Sequence, residues 1–282
     1  MSADHSPAGE PARMLELLWG TASPPSRGPK PALSLAKIVD AAVQIADAEG
    51  LAALSMRRVA EELGFTTMSL YRYVSGKEDL LELMQDAAAA PPPDVDLDSM
   101  PDDWRGAARW WATHNIEMFR RHPWFMDIPL SGPPMGPNQV RWMDRLLGAL
   151  AGTGLSPGEK MGVLTLLSTW ALSAGRLELS IMEGASRTGV EPDDWDPLYG
   201  QLLSKVVEAE EFPALAEILT AGIFSGPEPD GDEGNTADQP GDPEGAEFSD
   251  DLTFGLEVIL DGVEALIARR MTTSGRDSAS KP

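Results

Sequence analysis

The chain of 282 residues holds 45 acidic side chains against 22 lysines and arginines, which gives a formal net charge of −23. It contains no cysteine, so disulfides and thiolate chemistry are excluded, and the composition suits a reducing compartment. No apolar run approaches the roughly 20 residues that cross a bilayer, and the first residues show no signal-peptide pattern. We therefore expect a cytoplasmic protein without a membrane partner.

The first 33 residues are rich in proline, serine and glycine around one short apolar stretch. This composition predicts a disordered N-terminal arm over residues 1–33. Arg27 and Lys30 lie near the end of the arm. They are suited either to contact DNA phosphates or a minor groove, or simply to remain solvated as part of a tail.

Four segments with helical spacing follow, and each begins with a capping signal. Ser34, Ser55 and Thr66 are suitable N-caps, because their side-chain oxygens can accept a hydrogen bond from a free backbone N–H. Ser75 and Glu78 have the spacing of a capping box. The predicted helices span residues 35–49, 56–63, 67–74 and 75–90, which together form a domain over residues 34–90.

The second and third of these helices are joined by a tight turn at Gly64, which is typical of a helix-turn-helix. Leu70 and Val74 are four residues apart, so we expect them to point inward together with Phe65. The opposite face carries side chains suited to base edges and phosphates. They are Thr67, Met68, Tyr71 and Arg72, flanked by Ser69, Tyr73 and Lys77, with Arg57 on the preceding helix.

The charge near this turn favours DNA binding despite the acidic whole. Residues 27–77 hold seven basic and five acidic side chains, a local net charge of +2. The alternative is an amphipathic surface helix whose tyrosines are merely exposed. Spacing alone leaves both interpretations open.

The stretch "SLAKIVDAAVQIADAEGLAALSMRRVAEELGFTTMSLYRYVSGKEDLLELM" resembles the DNA-binding domain of the TetR (tetracycline repressor) family. It has a first helix ending in "EG", then "L-S-M-R-x-V-A-x-x-L-G", then "L-Y-x-Y-V-x-x-K-x-x-L". The wider frame from "LLWG" to "MSLYRYV" resembles an actinobacterial branch with a tetracycline-repressor-like C-terminal domain. The resemblance implies an all-α protein that has an N-terminal helix-turn-helix domain and a C-terminal helical domain for effector binding and dimerisation.

The resemblance also implies roles for individual residues. Arg57 corresponds to a base-contacting arginine, and Thr67, Met68 and Arg72 occupy base-reading positions. Tyr71 and Lys77 match phosphate-contacting residues, whereas Tyr73 stands where histidine is common. Thr66 is among the positions that vary most in the family, so the operator sequence does not carry over.

The rest of the chain has helical spacing, and no strand pattern competes with it. We expect a helical effector-binding and dimerisation domain over residues 101–271. Residues 225–247 hold eight acidic and no basic side chains among glycines and prolines, which predicts a disordered acidic loop. That loop is either solvated filler or a site that recruits a partner protein.

Aromatic residues are concentrated between residues 104 and 170, as is common in ligand sites between helices. The alternative is plain core packing. His114 and Asn115 are polar within an apolar helix and are suited to directional hydrogen bonds with an effector. The candidate ligand-binding residues are Trp110, Trp111, His114, Asn115, Met118, Trp142 and Trp170.

Two long apolar helices, at about 157–185 and 249–270, are suited to a four-helix bundle between two protomers. The alternative is burial within one subunit. The candidate dimer residues on the last helix are Leu256, Ile259, Leu260, Val263 and Ile267. A twofold dimer would read a palindromic operator.

The sequence therefore predicts a DNA-binding transcriptional regulator whose partners are a double-stranded DNA operator, a small-molecule effector and a second copy. We expect a repressor released by a small apolar or aromatic effector, with an activator that uses the acidic loop as the alternative. An enzyme is disfavoured, since the chain has three histidines, no cysteine and no glycine-rich phosphate loop. We expect no cofactor, and His114 and His122 lack a metal-ligand spacing.

Overall fold

The computed structural model describes residues 9–21, 32–129, 132–224 and 250–279. Those residues form helices and contain no strand, so the all-α prediction is confirmed. The α-helices are α1 (Gly9–Leu18), α2 (Leu35–Glu49), α3 (Met56–Leu63), α4 (Thr67–Leu70), α5 (Lys77–Ala88), α6 (Trp104–Arg121), α7 (Pro137–Ala149), α8 (Pro157–Thr188), α9 (Pro192–Leu203), α10 (Pro213–Thr220) and α11 (Asp250–Ala279).

Contacts divide the chain into one unit of residues 1–175 with 246–282 and a second unit of residues 176–245. The predicted domains over 34–90 and 101–271 stay a prediction, because this division falls inside α8. In the second unit, Gly200 of α9 packs against Phe224, whose ring meets Tyr199 edge-on at 5.4 Å between centroids. Arg27, Lys30 and the whole of the acidic stretch 225–247 lie outside the described residues.

Serine caps and a left-handed glycine set α2 and α3, as the sequence predicts. The Ser34 hydroxyl oxygen accepts a hydrogen bond from the Lys37 N–H at 3.3 Å, and Ser55 accepts one from Arg58 at 3.1 Å. Gly64 ends α3 with φ of 70°, a left-handed conformation that glycine adopts without steric cost. The chain therefore turns sharply from α3 into α4.

Two predicted features near α4 and α5 are wrong. The helix predicted over 67–74 ends at Leu70, and Tyr73 closes the following turn with a hydrogen bond to the Leu70 carbonyl. The predicted Ser75–Glu78 capping box does not form, because α5 begins at Lys77. Instead the Ser75 N–H donates to the Asp79 carboxylate at 2.9 Å.

The predicted N-terminal disorder is wrong for residues 9–18, which form α1. The apolar side of α1 packs on the other helices: Met14 is buried, and Leu17 and Leu18 pack against the core of α2 to α5. Arg13 donates to the Ser75 hydroxyl at 3.0 Å and to Asp79 at 2.6 Å. These contacts attach α1 to the start of α5.

A first apolar core joins α2 to α5 and extends into the end of α6. Ile116 and Phe119 of α6 belong to this core, as does Trp124 just beyond the helix. The Trp124 indole N–H donates to Asp47 of α2 at 2.5 Å, and the same oxygen lies 2.8 Å from His122 Nδ1. The core is therefore continuous across the predicted domain boundary.

A second core is formed where α6, α7, α8 and α11 meet. Four of the predicted dimer residues, Leu256, Leu260, Val263 and Ile267, are at most 8% exposed within the single chain. Their heptad-like spacing directs them towards the other helices of this core. The dimer assignment is therefore wrong for these four, while Ile259 is half-buried at the edge of the core.

Ion pairs hold α11 against α6 and against the start of α8. Arg105 of α6 contacts Glu257, Asp261 and Glu264, and Arg109 shares Glu257. At the other end, Arg270 pairs with Glu159 at the start of α8.

Asp86, near the end of α5, caps the N-terminus of α7. Its Oδ1 accepts backbone N–H bonds from Asn138 at 2.9 Å and Gln139 at 3.1 Å, and its Oδ2 accepts from the Asn138 amide at 3.2 Å. Burial raises the pKa of the Asp86 carboxyl, although these hydrogen bonds act to lower it. Trp142 of α7 adds a bond from its indole N–H to the Ala89 carbonyl at 2.7 Å.

Gly136 lets α7 approach this carboxylate closely, since a Cβ built there would overlap Asp86. Its φ of −74° suits any residue, so a substitution would be penalised by the overlap alone. We expect Gly136→Ala to lower the free energy of unfolding by about 1–3 kcal/mol, measured by urea denaturation.

Gly148→Ala, on the same helix, is the matched control. Nothing lies within 4 Å of a Cβ at Gly148, so this change should stabilise the helix by about 0.5–1 kcal/mol. If Gly136→Ala were as stable as the wild type, the close contact between α5 and α7 would be contradicted.

Candidate nucleic-acid interface and effector-binding residues

Buried apolar side chains hold the inward side of the helix-turn-helix against the core. Val59 and Ala60 of α3, Leu70 of α4 and Val74 beyond it are at most 2% exposed. Phe65, which we expected to join them, remains 37% exposed. The inward side is therefore anchored, and the outward side of α4 faces solvent.

The outward side of α4, together with the residues just before and after it, forms what we name the reading face: Thr66, Met68, Tyr71 and Arg72. Met68 is 74% exposed and Tyr71 is 47% exposed, although large apolar and aromatic groups are usually covered. Arg72 is exposed and makes no ion pair among the described residues. This face combines a guanidinium, a thioether, a phenol and a hydroxyl, the kinds of groups that contact bases and phosphates.

Thr67 and Ser69 lie at the border of the reading face and are half-buried. The Ser69 hydroxyl lies 2.9 Å from the Thr66 hydroxyl, and this contact orients both side chains. Because Thr67 and Ser69 are half-buried, we expect them to orient neighbouring side chains as much as to contact DNA themselves.

The two arginines that open α3 differ in availability. The Arg57 side chain is 83% exposed and pairs with Glu61 at 2.7 Å, a surface pair that is readily exchanged. Arg58 is bound to Glu49 at 2.6 Å and Glu62 at 2.7 Å, which holds α2 against α3. Arg57 therefore remains a candidate for DNA contact, and Arg58 has a structural role.

Tyr73 and Lys77 are both engaged within the chain. The Tyr73 hydroxyl donates to the Leu33 carbonyl at 2.8 Å, so a phosphate contact would require that bond to break. The structure therefore argues against Tyr73 as a DNA contact. The Lys77 ammonium donates to the Leu54 carbonyl at 2.9 Å but keeps further protons at the start of α5.

Three of the predicted effector residues, Trp110, His114 and Trp142, form one aromatic cluster on α6 and α7. The rings of Trp110 and His114 stack at 3.8 Å between centroids, and Trp110 stacks on Trp142 at 5.6 Å. The His114 Nδ1 lies 2.8 Å from the Trp110 carbonyl, which can only accept, so Nδ1 carries the proton. Trp110 and His114 are half-buried.

Three of the predicted effector residues are buried in the cores. Trp111, Met118 and Trp142 are at most 9% exposed. The Trp111 indole N–H donates to the Trp142 carbonyl at 3.0 Å, so this polar group is already satisfied. Core packing, the alternative that composition left open, accounts for these three in the described structure.

Asn115 and Trp170 remain half-buried. The Asn115 amide donates to the Trp111 carbonyl at 2.8 Å, which leaves its oxygen available. Trp170 lies where the two cores meet and packs against Gly255 of α11.

Sequence reasoning missed Arg13 and Asp86, which connect helices distant in the chain. An aspartate at the end of a helix has no local signal that it caps another helix 52 residues later. It also missed a groove of about 900 Å³ between α1, α2, α5 and α7. Only the three-dimensional arrangement brings these groups together.

Comparisons with known proteins match both halves of the chain. The family model described as "Bacterial regulatory proteins, tetR family" matches residues 38–84, and "Tetracyclin repressor-like, C-terminal domain" matches residues 98–228. The HTH-type transcriptional repressor DrrR1 of Streptomyces coeruleorubidus is 39% identical over 269 residues, 95% of this chain and 91% of that protein. The chain belongs to the TetR family.

Solved structures support the membership. Apo ActR from Streptomyces coelicolor is 27% identical to this TetR-family chain with a TM-score of 0.62, covering 86% of this chain and 99% of ActR. ActR in complex with actinorhodin is 28% identical with a TM-score of 0.62, covering 83% of this chain and 96% of ActR.

Family membership decides the class of activity. TetR-family regulators are DNA-binding transcription factors rather than enzymes, and dimerisation is typical of them. Across the described ranges, no helix is long and apolar enough to cross a membrane. In the same ranges, no three histidine or acidic side chains are grouped so as to hold a metal ion.

Substitutions at Arg72 and Lys77 test the DNA contacts. We expect Arg72→Ala to lower discrimination at the base pair it reads by about 1–3 kcal/mol. Lys77→Ala should weaken binding to all sequences alike and reduce the salt dependence by about one phosphate contact. Both are measured by fluorescence anisotropy over a salt series, with circular dichroism to verify folding.

Arg121→Ala is the control, because Arg121 is also exposed but lies at the end of α6. It should change neither discrimination nor the salt slope. Specific binding that survives both Arg72→Ala and Lys77→Ala would overturn the assignment of the reading face.

Proposed function

We propose that this protein is a transcriptional repressor that binds a palindromic operator as a dimer and is released by a small apolar or aromatic effector. The reading face is the observation that carries the proposal, since the buried core holds Met68 of α4 and Tyr71 and Arg72 of the following turn exposed on one side. The name of the relative DrrR1, a transcriptional repressor, supports the sign of regulation.

The coupling between effector and DNA follows from the contacts of α5. The aromatic cluster of Trp110, His114 and Trp142 is joined to α5 by the bond from Trp142 to the Ala89 carbonyl. Asp86 ties the same end of α5 to α7. A ligand that displaces α6 against α7 therefore tilts α5 and shifts the position of the reading face, and its effect equals its differential affinity for the two states.

The class of effector is suggested by the stacked rings of Trp110 and His114, which are half-buried and suit stacking with a flat ring. ActR is a protein of the same family, and its structure in complex with actinorhodin supports a small-molecule effector. Aromatic stacking together with a polar His114 Nε2 favours a planar compound that carries hydrogen-bonding groups.

The dimer interface that we propose uses the outer faces of α8 and α11. Trp170 lies against Gly255, and Glu159 pairs with Arg270, so these helices run antiparallel. Their outer faces expose Met161 and Leu166 on α8 and Phe254 and Val258 on α11, between 43% and 70% accessible. Burying such apolar groups against a second copy would form a four-helix bundle.

A gel-shift assay with the DNA that flanks its own gene tests the main proposal. We expect a specific complex that persists in the presence of about a 50-fold excess of unrelated DNA. Added actinorhodin and a panel of planar aromatic compounds should include at least one that dissociates the complex. The proposed repressor would be contradicted if no specific complex formed with that DNA, or if the compounds that act on the complex strengthened it instead of dissociating it.

Val258→Glu tests the interface. A carboxylate on this exposed site should leave the fold intact but oppose burial against a second copy, giving a monomer by analytical ultracentrifugation. Leu15→Glu is the control, because Leu15 is also exposed, at 45%, but lies on α1. A Val258→Glu protein that remains a dimer would exclude this face.

A further inference from the structure

The groove of about 900 Å³ lies where α1, α2, α5 and the start of α7 meet. It is separate from the aromatic cluster of Trp110, His114 and Trp142, none of which lines it. Its walls belong to the helix-turn-helix domain on one side and to Pro137 and Asn138 on the other. A molecule bound there would therefore contact both α5 and the N-terminus of α7.

The floor of the groove is apolar. Leu17 of α1, Val39 of α2 and Leu83 of α5 line it. Val39 and Leu83 are buried and cannot move without disturbing the core. At one edge stands Trp19, which is 47% exposed and held by a bond from its indole N–H to the Met135 carbonyl at 2.9 Å. A fixed aromatic edge over an aliphatic floor suits a flat hydrophobic group.

Within the part of the chain that the structure describes, the charged side chains that line the groove are two carboxylates and one ammonium. Asp40 is exposed on α2, and its Oδ2 accepts a bond from Gln44 at 3.1 Å. Asp86 is buried to 6% exposure, and burial raises its pKa even though three bonds reach it from α7. Lys37 is the one lining ammonium among the described residues, and it donates to the Ala32 carbonyl at 2.9 Å. Two carboxylates against one cation favour a positively charged ligand.

We propose that this groove is a second small-molecule site, which binds an amphipathic organic cation of the aromatic or fused-ring amine class. The ring lies on Leu17, Val39 and Leu83 beside Trp19, and the amine faces Asp40, the exposed carboxylate of the groove. A charged amine there forms charge-assisted hydrogen bonds with carboxylates. Because the ligand bridges α5 and α7, its binding stabilises one relative position of the two helices.

The binding experiment uses the full chain, without DNA, and 9-aminoacridine as the fused-ring cation. Acridine, which is neutral at mildly alkaline pH, is the matched uncharged ligand with the same fused rings. We expect saturable binding of one 9-aminoacridine per protomer by isothermal titration calorimetry. Acridine should bind about tenfold more weakly, because it lacks the ion pair with the carboxylates.

Two variants locate the bound amine. Asp40→Asn keeps the size of an exposed side chain and should weaken 9-aminoacridine about fivefold, while leaving acridine unchanged. Val43→Trp narrows the groove from its half-buried edge and should abolish binding of both compounds. Circular dichroism and thermal unfolding establish that each variant is folded.

Trp110→Phe is the control that separates this groove from the aromatic cluster, and it should bind 9-aminoacridine as the wild type does. Loss of binding in Trp110→Phe with retention in folded Val43→Trp would assign the cation to the cluster and overturn the proposal. The absence of saturable binding, or equal affinity for the cation and neutral acridine, would also overturn it. None of these outcomes bears on operator binding, so the proposed repressor function is tested separately.

Discussion

The carboxylate of Asp86 is the contact through which the two functional halves of this protein are joined. It lies at the end of α5 and caps the first turn of α7, where free N–H groups and the helix dipole favour a negative charge. Gly136 makes the approach possible, and Trp142 reinforces it at Ala89. A buried charge with several donors holds a fixed geometry, because losing any donor would leave it unsatisfied. The end of α5 therefore follows α7.

The acidity of the chain is arranged so that it does not oppose DNA at the reading face. Acidic residues close to the helix-turn-helix are paired with arginines: Glu49 and Glu62 share Arg58, and Glu61 pairs with Arg57. Asp79 at the start of α5 is paired with Arg13, and this arginine and the bond from Ser75 keep the pKa of the Asp79 carboxyl below its usual value despite burial. Arg13 of α1 therefore supplies a positive charge beside the Asp79 carboxylate, which would otherwise repel phosphate.

Local signals in the sequence predicted the parts of the fold that depend on local physics. Ser34 and Ser55 cap their helices, and Gly64 makes the turn, because each acts within a few residues. Periodicity marked Leu256 and Leu260 as buried but gave no information on which surface covers them, so an internal core was taken for an interface. The internal hydrogen bond of Tyr73 escaped prediction for the same reason: its partner, the Leu33 carbonyl, lies 40 residues away in the chain. The exposure of Met68, Tyr71 and Arg72 agrees with the sequence, because Leu70 and Val74 take the inward positions between and beyond them.

The shared first core has a consequence for engineering hybrid regulators. Ile116 and Phe119 of α6, with Trp124 beyond it, complete the hydrophobic interior of the helix-turn-helix domain. A chimera that exchanges effector domains at the linker near residue 95 would graft foreign side chains onto that interior and leave Asp47 without the Trp124 indole. The transferable module is therefore not a continuous segment. It consists of the helix-turn-helix together with the inward-facing positions between residues 116 and 128, and these should be kept when the remainder is replaced.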